Sequence, residues 1–318
     1  MQRGSVVFTT EQIDMAIKKV IVAGVGGTLG PPVIKQLLAK GFEVTALTGK
    51  PEQVEKAYKD QVPARQANYS SVETLAASLQ DCDALVILLN RNAFDAQILL
   101  IDAAVAAGVP HIVPSCFGQD STFEEWRKNP AAEEKIRMED YVVKLAEEGK
   151  ITFTGIQTGL FLDWAVRANF LLNCKSDGPS MLFDGGDTSF STTSLDDIGT
   201  AVANSLAALE KTKNNFVKVQ SAAVSQNQLL KYGRMARPQW QWQTVAVDTE
   251  ALYKRSQAAL DGGDRSPEVM RGFLAWPSFG QGRGLFRSND NELLGIVEWS
   301  EERLAKLVSD VIEENAGA

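Results

Sequence analysis

The sequence predicts an α/β fold, a doubly wound parallel sheet with a smaller C-terminal α/β lobe. Three observations predict it. Strands and helices alternate with short connections from Lys19 to Gln157, the run Ala84–Leu89 is apolar without alternation, and a glycine-rich turn joins the first strand to the first helix. Such alternation yields parallel strands with helices on both faces, and a strand covered on both faces loses its polar positions.

Taken in order, Lys19 to Ala23 is the first strand and Phe42 to Leu47 the second, with a helical pattern over Ile34–Lys40 between them. Glu52–Lys59 reads as a short helix, Ala64–Ala67 as a third strand and Ser71–Leu79 as a helix. After the fourth strand, the helix Ala93–Ala107 ends at Gly108, suited to a left-handed C-cap, before the strand His111–Pro114. A helix over Ala131–Glu148 leads to the sixth strand, Thr152–Gln157. Beyond Gly159 the alternation gives way to aromatic and glycine-bearing loops. Ser194 then caps a helix carrying Asp196 and Asp197 in its first turn, and Phe216–Gln220 adds a last strand. Helices over Gln226–Tyr232, Thr249–Ala259 and Glu301–Asn315 belong to the lobe.

The turn Gly24-Val-Gly26-Gly27-Thr28-Leu29-Gly30 carries the chemistry. Glycines let a backbone approach phosphates, and a helix N-terminus offers amides and a positive dipole end to an anion. Strand, turn, helix and second strand form the βαβ unit that binds a dinucleotide pyrophosphate in Rossmann-type folds. The expected organisation is an arm at residues 1–16, with a capping helix at Glu11–Ile17 as its alternative, and a dinucleotide-binding domain at 17–160. The region 161–318 forms the substrate lobe and returns residues 191–222 to the first domain.

Composition bounds the function. With 318 residues, 44% hydrophobic and 23% charged, the chain suits one large domain or a domain plus a lobe. A net charge of −8 argues against a nonspecific nucleic-acid binder, which needs a basic face. Cys82, Cys116 and Cys174 form no CxxC pair, which fits a reducing compartment, and a single histidine excludes a multi-His metal centre. Met1–Met15 lacks the apolar core of a signal peptide and no apolar run spans a bilayer, so the expectation is a soluble, cytoplasmic protein.

Ligands of doubly wound sheets lie beyond the carboxyl ends of the strands. The second strand ends at Thr48-Gly49-Lys50, with no acid for a ribose 2′-hydroxyl. Lys50 and the Thr48 hydroxyl suit a 2′-phosphate, which favours NADP(H) over NAD. Asn90 is expected along the ribose and phosphate track, and Ser115, Cys116 and Phe117 beside the nicotinamide. Gln157, Thr158, Leu160, Phe161 and Trp164 are candidate walls of the substrate pocket, with Cys116 near them either as a thiol or as a small packed residue. Trp240, Trp242, Phe273, Trp276 and Phe279 read equally as lobe core or as lining of an aromatic cleft. His111 reads as structural. No tyrosine has a lysine four residues on: Tyr141 is followed by Lys144, and one residue turns a helical side chain by about 100°. Classical Tyr-Lys acid catalysis is therefore not expected.

The run Val22–Lys50, Gln97 with Asp102-Ala-Ala and Ala107-Gly-Val109, Val113-Pro-Ser-Cys-Phe-Gly118, Thr154-Gly-Ile-Gln-Thr-Gly-Leu-Phe-Leu-Asp-Trp164 and Ser191–Gly199 resemble the NmrA-like and isoflavone-reductase-like branch of the atypical short-chain dehydrogenases. The likeness covers about two thirds of the chain, by the order of its motifs. It implies a Rossmann domain that binds NADPH and a substrate lobe, in enzymes that often reduce aromatic secondary metabolites. Lys135 matches the lysine that follows the reductase loop, which implies a proton donor near the nicotinamide. Read without the resemblance, Lys135 is a surface lysine paired with Glu139 at i, i+4. The chain departs from the pattern at Gly49, at Cys116 in place of an acid, and at Asn68.

The expected function is NADPH-dependent reduction of a carbonyl, imine or benzylic centre of a small aromatic or polycyclic substrate, and a homodimer is compatible with it. The alternatives are a non-redox cyclase or isomerase that retains the dinucleotide, and an NmrA-type dinucleotide-sensing regulator.

Overall fold

The computed structural model describes residues 17–90, 93–175 and 178–316. The expected arm at residues 1–16 lies outside them. The first half of the chain runs β1 (Lys19–Ala23), α1 (Gly30–Ala39), β2 (Glu43–Thr48), α2 (Pro51–Tyr58), β3 (Ala64–Gln66), α3 (Val72–Ser78), β4 (Ala84–Ile87), α4 (Phe94–Ala107), β5 (His111–Val113), α5 (Glu124–Arg127), α6 (Glu133–Glu147) and β6 (Thr152–Gln157). The second half continues with β7 (Leu160–Phe161), α7 (Leu162–Arg167), β8 (Ser180–Phe183), β9 (Phe190–Thr193), α8 (Leu195–Ala207), α9 (Leu209–Thr212), β10 (Asn215–Lys218) and β11 (Ala222–Val224). It ends with α10 (Gln226–Ala236), β12 (Thr244–Val247), α11 (Thr249–Asp261), α12 (Pro267–Phe279), α13 (Asn291–Leu294) and α14 (Glu301–Ala316).

Seven strands form one parallel sheet in the order β3-β2-β1-β4-β5-β6-β10. The order reverses between β1 and β4, and that switch point opens a crevice at the carboxyl ends of the strands. Period-2 geometry sends alternate residues to opposite layers. Val20, Val22, Ala84 and Val86 pack with Val33, Ile34 and Leu37 of α1 and Ile198 and Val202 of α8. Ile21, Ala23, Leu85 and Ile87 pack with Leu75 of α3, Leu100 and Ile101 of α4, and Met138 and Val142 of α6. Both faces being covered explains why the fourth strand reads as an unbroken apolar run.

The helix ends follow the sequence signals. Gly108 closes α4 at φ +71°, and the Ser194 hydroxyl accepts from the Asp197 amide at 3.1 Å to cap α8. α1 begins Gly30-Pro31-Pro32, where proline's fixed φ favours a first turn.

The stretch expected to rejoin the first domain, 191–222, does so only over α8, α9 and β10. β9 instead pairs with β7 and β11 in a three-stranded sheet of the lobe. β8 and β12 make a second, two-stranded sheet. The lobe core is aromatic: Phe279 of α12 stacks on Phe183 at 4.6 Å and meets Phe190 edge-on at 4.9 Å. Among the described residues no helix is long and apolar enough to cross a membrane.

His111 is fully buried at the start of β5, its Nδ1 2.8 Å from Thr152 Oγ1 and its Nε2 3.3 Å from Thr154 Oγ1. Desolvation pushes the imidazole pKa down to about 3 from the usual 6.5. The unfolded chain therefore takes up a proton in a window where the native one does not. Stability is complete above the unfolded value and falls as pH drops from there toward the folded value, by about 5 kcal/mol at most. The denaturant midpoint is expected to decrease as pH is lowered from about 6.5 toward about 3, and His111→Gln to flatten part of that decrease. An unchanged slope in the variant would refute this assignment.

Candidate active site

A cleft of about 660 Å³ opens at the switch point and runs from the glycine turn to the lobe. Its sheet side is formed by Gly24, Gly27, Thr28 and Leu29, by Leu88, Leu89 and Asn90 beyond β4, and by Ser115, Phe117, Gly118 and Gln119 beyond β5. The lobe side is Leu160, Phe161, Trp164, Phe170, Leu274 and Ser278, and Trp126, Ala131, Glu134, Lys135 and Met138 cover the middle together with Phe94 and Gln97 of α4.

The turn has two kinds of glycine. Gly24 adopts φ +88°, and a Cβ there would lie 2.8 Å from the Leu88 carbonyl carbon, so the turn presses against the end of β4. A Cβ on Gly30 would stand 1.9 Å from the Val25 oxygen, which makes Gly30 a packing position beneath the turn instead of a cleft residue. By contrast, a Cβ on Gly26 meets nothing within 4 Å, and one on Gly27 meets only Gly24 O at 3.3 Å. Their outer face is open. The Gly27 and Gly30 amides close the turn onto Gly24 O and Gly27 O at 3.0 and 3.1 Å. Pro31 and Pro32 have no N–H to offer. The amides of Thr28 and Leu29 have no backbone acceptor among the described residues and stand at the positive end of α1, an arrangement that fits a dinucleotide pyrophosphate.

Thr48 ends β2 and Lys50 caps the start of α2; neither lines the cleft. Lys50 is exposed, and its amide donates to Thr48 Oγ1 at 3.1 Å. The edge is free of carboxylates at this point. Asn90 lines the cleft while its carbonyl accepts from Gln97 Nε2 at 2.9 Å. Ser115 Oγ donates to Leu89 O at 2.8 Å and stitches the loop after β5 to the loop after β4.

That loop is held firmly. Gly118 O accepts from the amides of Thr158 and Gly159 at 2.9 and 2.8 Å. Asp120, nearly buried, pairs with Lys218 of β10 at 2.6 Å, and Gln119 Nε2 reaches Ser278 Oγ of α12 at 3.0 Å. Lys135, in the first turn of α6, lines the cleft half-buried and donates from Nζ to Phe117 O.

Three expected substrate contacts face away from the cleft. Cys116 is fully buried among Ile112, Met138 and Val142, because strand parity carries past the end of β5 and turns it to the opposite layer from Phe117. Burial holds its thiol well above the usual range, with Glu139 reinforcing the effect, so it is a packed residue and no nucleophile. Gln157 is buried with Nε2 on Ser121 Oγ at 2.5 Å, and buried Thr158 accepts from Thr193 Oγ1 at 2.6 Å through its carbonyl. Both support the wall from behind. Leu160, Phe161 and Trp164 lie on it.

Glu139 is 1% exposed, so the alternative of a surface Lys135–Glu139 pair does not hold. Tyr141 lies outside the cleft and donates to Asp102; burial, then that carboxylate, pushes its phenol up to about 12. It is no acid for this site.

None of the C-terminal aromatics lines the cleft. Phe273 and Phe279 are core, Trp240 and Trp242 pack against the lobe, and Trp276 lies against Tyr253 and Arg283. The aromatic lining comes instead from Phe94, Phe117, Trp126, Phe161, Trp164 and Phe170. Gln119 was within reach of the sequence, since it continues the loop after β5, and Trp126 follows that loop in α5. Leu274 and Ser278 carry no local signal, because only the tertiary fold brings α12 over the cleft.

A model described as the NmrA-like family matches residues 16–235. The chain is 29% identical to the oxidoreductase poxI of Penicillium oxalicum over 250 residues, covering 77% of this chain and 79% of that one. It is 29% identical to the oxidoreductase aprR of Aspergillus flavus over 286 residues, covering 87% and 94%. Among solved structures, AtPrR2 with NADP+ and (+)pinoresinol superposes at a TM-score of 0.76 and 16% identity, covering 93% of this chain and 99% of that one. The leucoanthocyanidin reductase–NADPH complex from Vitis vinifera gives 0.71 at 20% identity, covering 91% and 99%. These structures share the fold, and the family match spans well over half of the sequence: the chain belongs to the NmrA-like family.

Proposed function

We propose that this protein is an NADPH-dependent reductase acting on a carbonyl, imine or benzylic centre of a small aromatic or polycyclic molecule. The observation that carries the reading is the continuity of the cleft: one cavity joins the glycine turn to an aromatic chamber, with Lys135 at the junction. The relatives named as oxidoreductases, and the related folds that hold NADP+ or NADPH, support the same reading.

The residues divide the work. The Thr28 and Leu29 amides and the dipole of α1 hold the pyrophosphate, while Gly26 and Gly27 leave room for it. Lys50, with Thr48, meets the 2′-phosphate at the edge of β2. Asn90, Ser115 and Phe117 line the track toward the nicotinamide. NADPH bound there supplies the hydride. Phe94, Trp126, Phe161, Trp164 and Phe170 receive a planar apolar substrate and keep water from it. The Lys135 ammonium, oriented by Phe117 O, gives a proton to the oxygen or nitrogen that gains charge.

Loss of NADPH absorbance with a panel of aromatic and polycyclic carbonyl compounds tests the reading. Stoichiometric loss with appearance of the reduced product is expected. Product formation without cofactor loss would favour the non-redox alternative.

A further inference from the structure

The buried face of α6 consists of Ile136, Met138, Glu139, Val142 and Leu145. Glu139 is the charged member of that set and is 1% exposed. A buried carboxyl costs several kcal/mol unless it is well paired and hydrogen-bonded. Here neither carboxyl oxygen accepts a hydrogen bond from the described residues. Four groups face it: Lys135 on its own helix, Arg127 of α5, and Ser121 and Cys116 of the loop after β5. Arg127 is engaged at the surface with Asp140 at 2.6 Å, and the Cys116 thiol stays protonated. Ser121 Oγ accepts from Gln157 Nε2 at 2.5 Å, which leaves its O–H on the side of the carboxyl. Lys135, one helical turn away and lining the cleft, is the group that connects this carboxyl to the reacting centre.

We propose that Glu139 is a positioning residue that acts through Lys135: it holds the ammonium at the cleft and restores the lysine's proton after each turnover. The inference rests on Lys135 being the proton donor. In the first step an N–H bond of the Lys135 ammonium breaks as an O–H bond forms on the substrate alkoxide, leaving a neutral amine. The Glu139 carboxylic acid then transfers its proton to the amine, giving carboxylate and ammonium. Solvent returns a proton to the carboxylate before the next cycle. Burial, the largest influence, raises the Glu139 pKa to about 7, against the opposing pull of Lys135, Ser121, Cys116 and Arg127, so the carboxyl can hold or release its proton at neutral pH.

The full chain with 13C-labelled glutamate carboxyls, titrated by NMR, tests the coupling without any substrate. One signal is expected to titrate near neutrality, to vanish in Glu139→Gln, and to move up by about one pH unit or more in Lys135→Met, where the favourable cation is gone. Titration of that signal in the ordinary carboxylate range, or no shift in Lys135→Met, would overturn the proposal. The Lys135→Met shift carries the test even where Glu139→Gln fails to fold. A kinetic comparison separates this inference from the reading beneath it, using the carbonyl compound that the wild type reduces fastest. Glu139→Gln is expected to lower kcat about tenfold, with KM unchanged, and to lose the near-neutral inflection of the pH profile. An unaltered kcat profile in Glu139→Gln beside an inactive Lys135→Met would sink the role of Glu139 alone, whereas an active Lys135→Met would sink Lys135 as proton donor.

Discussion

Replacing Lys135 by methionine is expected to lower kcat by about 10²- to 10⁴-fold, the usual contribution of a positioned general acid. Methionine keeps an apolar stem of similar length in a half-buried position and removes only the ammonium. NADPH affinity, measured by the change in cofactor fluorescence, is expected to stay near the wild-type value, because the pyrophosphate is held by the glycine turn and the first amides of α1, of which Lys135 is no part. The combination matters. A loss of kcat together with a loss of NADPH binding would point to a role in cofactor retention, and an unchanged kcat would remove Lys135 from the chemistry.

Gly30→Ala is expected to be the most damaging single substitution in the turn. Its methyl would meet the oxygen, carbonyl carbon and Cα of Val25 at 1.9, 2.5 and 2.8 Å, all backbone atoms that cannot swing away. Relief requires moving the turn off the end of β1 or α1 off the sheet, at a cost of about 3 kcal/mol or more, within the range of overpacked cores. The matched control is Gly26→Ala, whose methyl meets nothing within 4 Å. Denaturant midpoints of the two variants check the contrast: a large drop for Gly30→Ala and little change for Gly26→Ala. Equal stability of both would mean that the turn is not packed as described.

The contrast between these glycines shows where sequence reasoning reached and where it stopped. The spacing of Gly24, Gly27 and Gly30 located the strand-turn-helix unit, and β1 occupies the expected residues Lys19–Ala23. Spacing does not say which glycine faces a ligand and which admits a neighbouring backbone. The first six strands were legible because they alternate with helices of regular period across short turns; β1 and β4 are apolar runs as well, whereas β3 is Ala-Arg-Gln and was marked by its place in the alternation. β7, β8, β9 and β12 have two to four residues each and lie beyond Gly159, outside the strand–helix alternation that marked the equally short β3, β4 and β5. α12 was hidden by Gly272 and Pro277 inside it.

In the site, position along the chain was easier to read than direction. Ser115 and Phe117 lie on the cleft and Cys116 between them does not, a difference of parity set by how β5 ends. Glu139 looked like an ordinary i, i+4 partner of Lys135. Its burial depends on the loop after β5 folding over α6, an arrangement that helical periodicity cannot convey.

In the proposed reaction bound NADPH transfers hydride to a molecule in the aromatic chamber. The most direct measurement uses NADPH carrying deuterium at the transferable position of nicotinamide C4, with product analysed by mass spectrometry and NMR. One deuterium on the reduced carbon of each product molecule and one NADPH consumed per product are expected. Deuterium-free product, formed equally well with NADP+ and with no cofactor consumed, would contradict it.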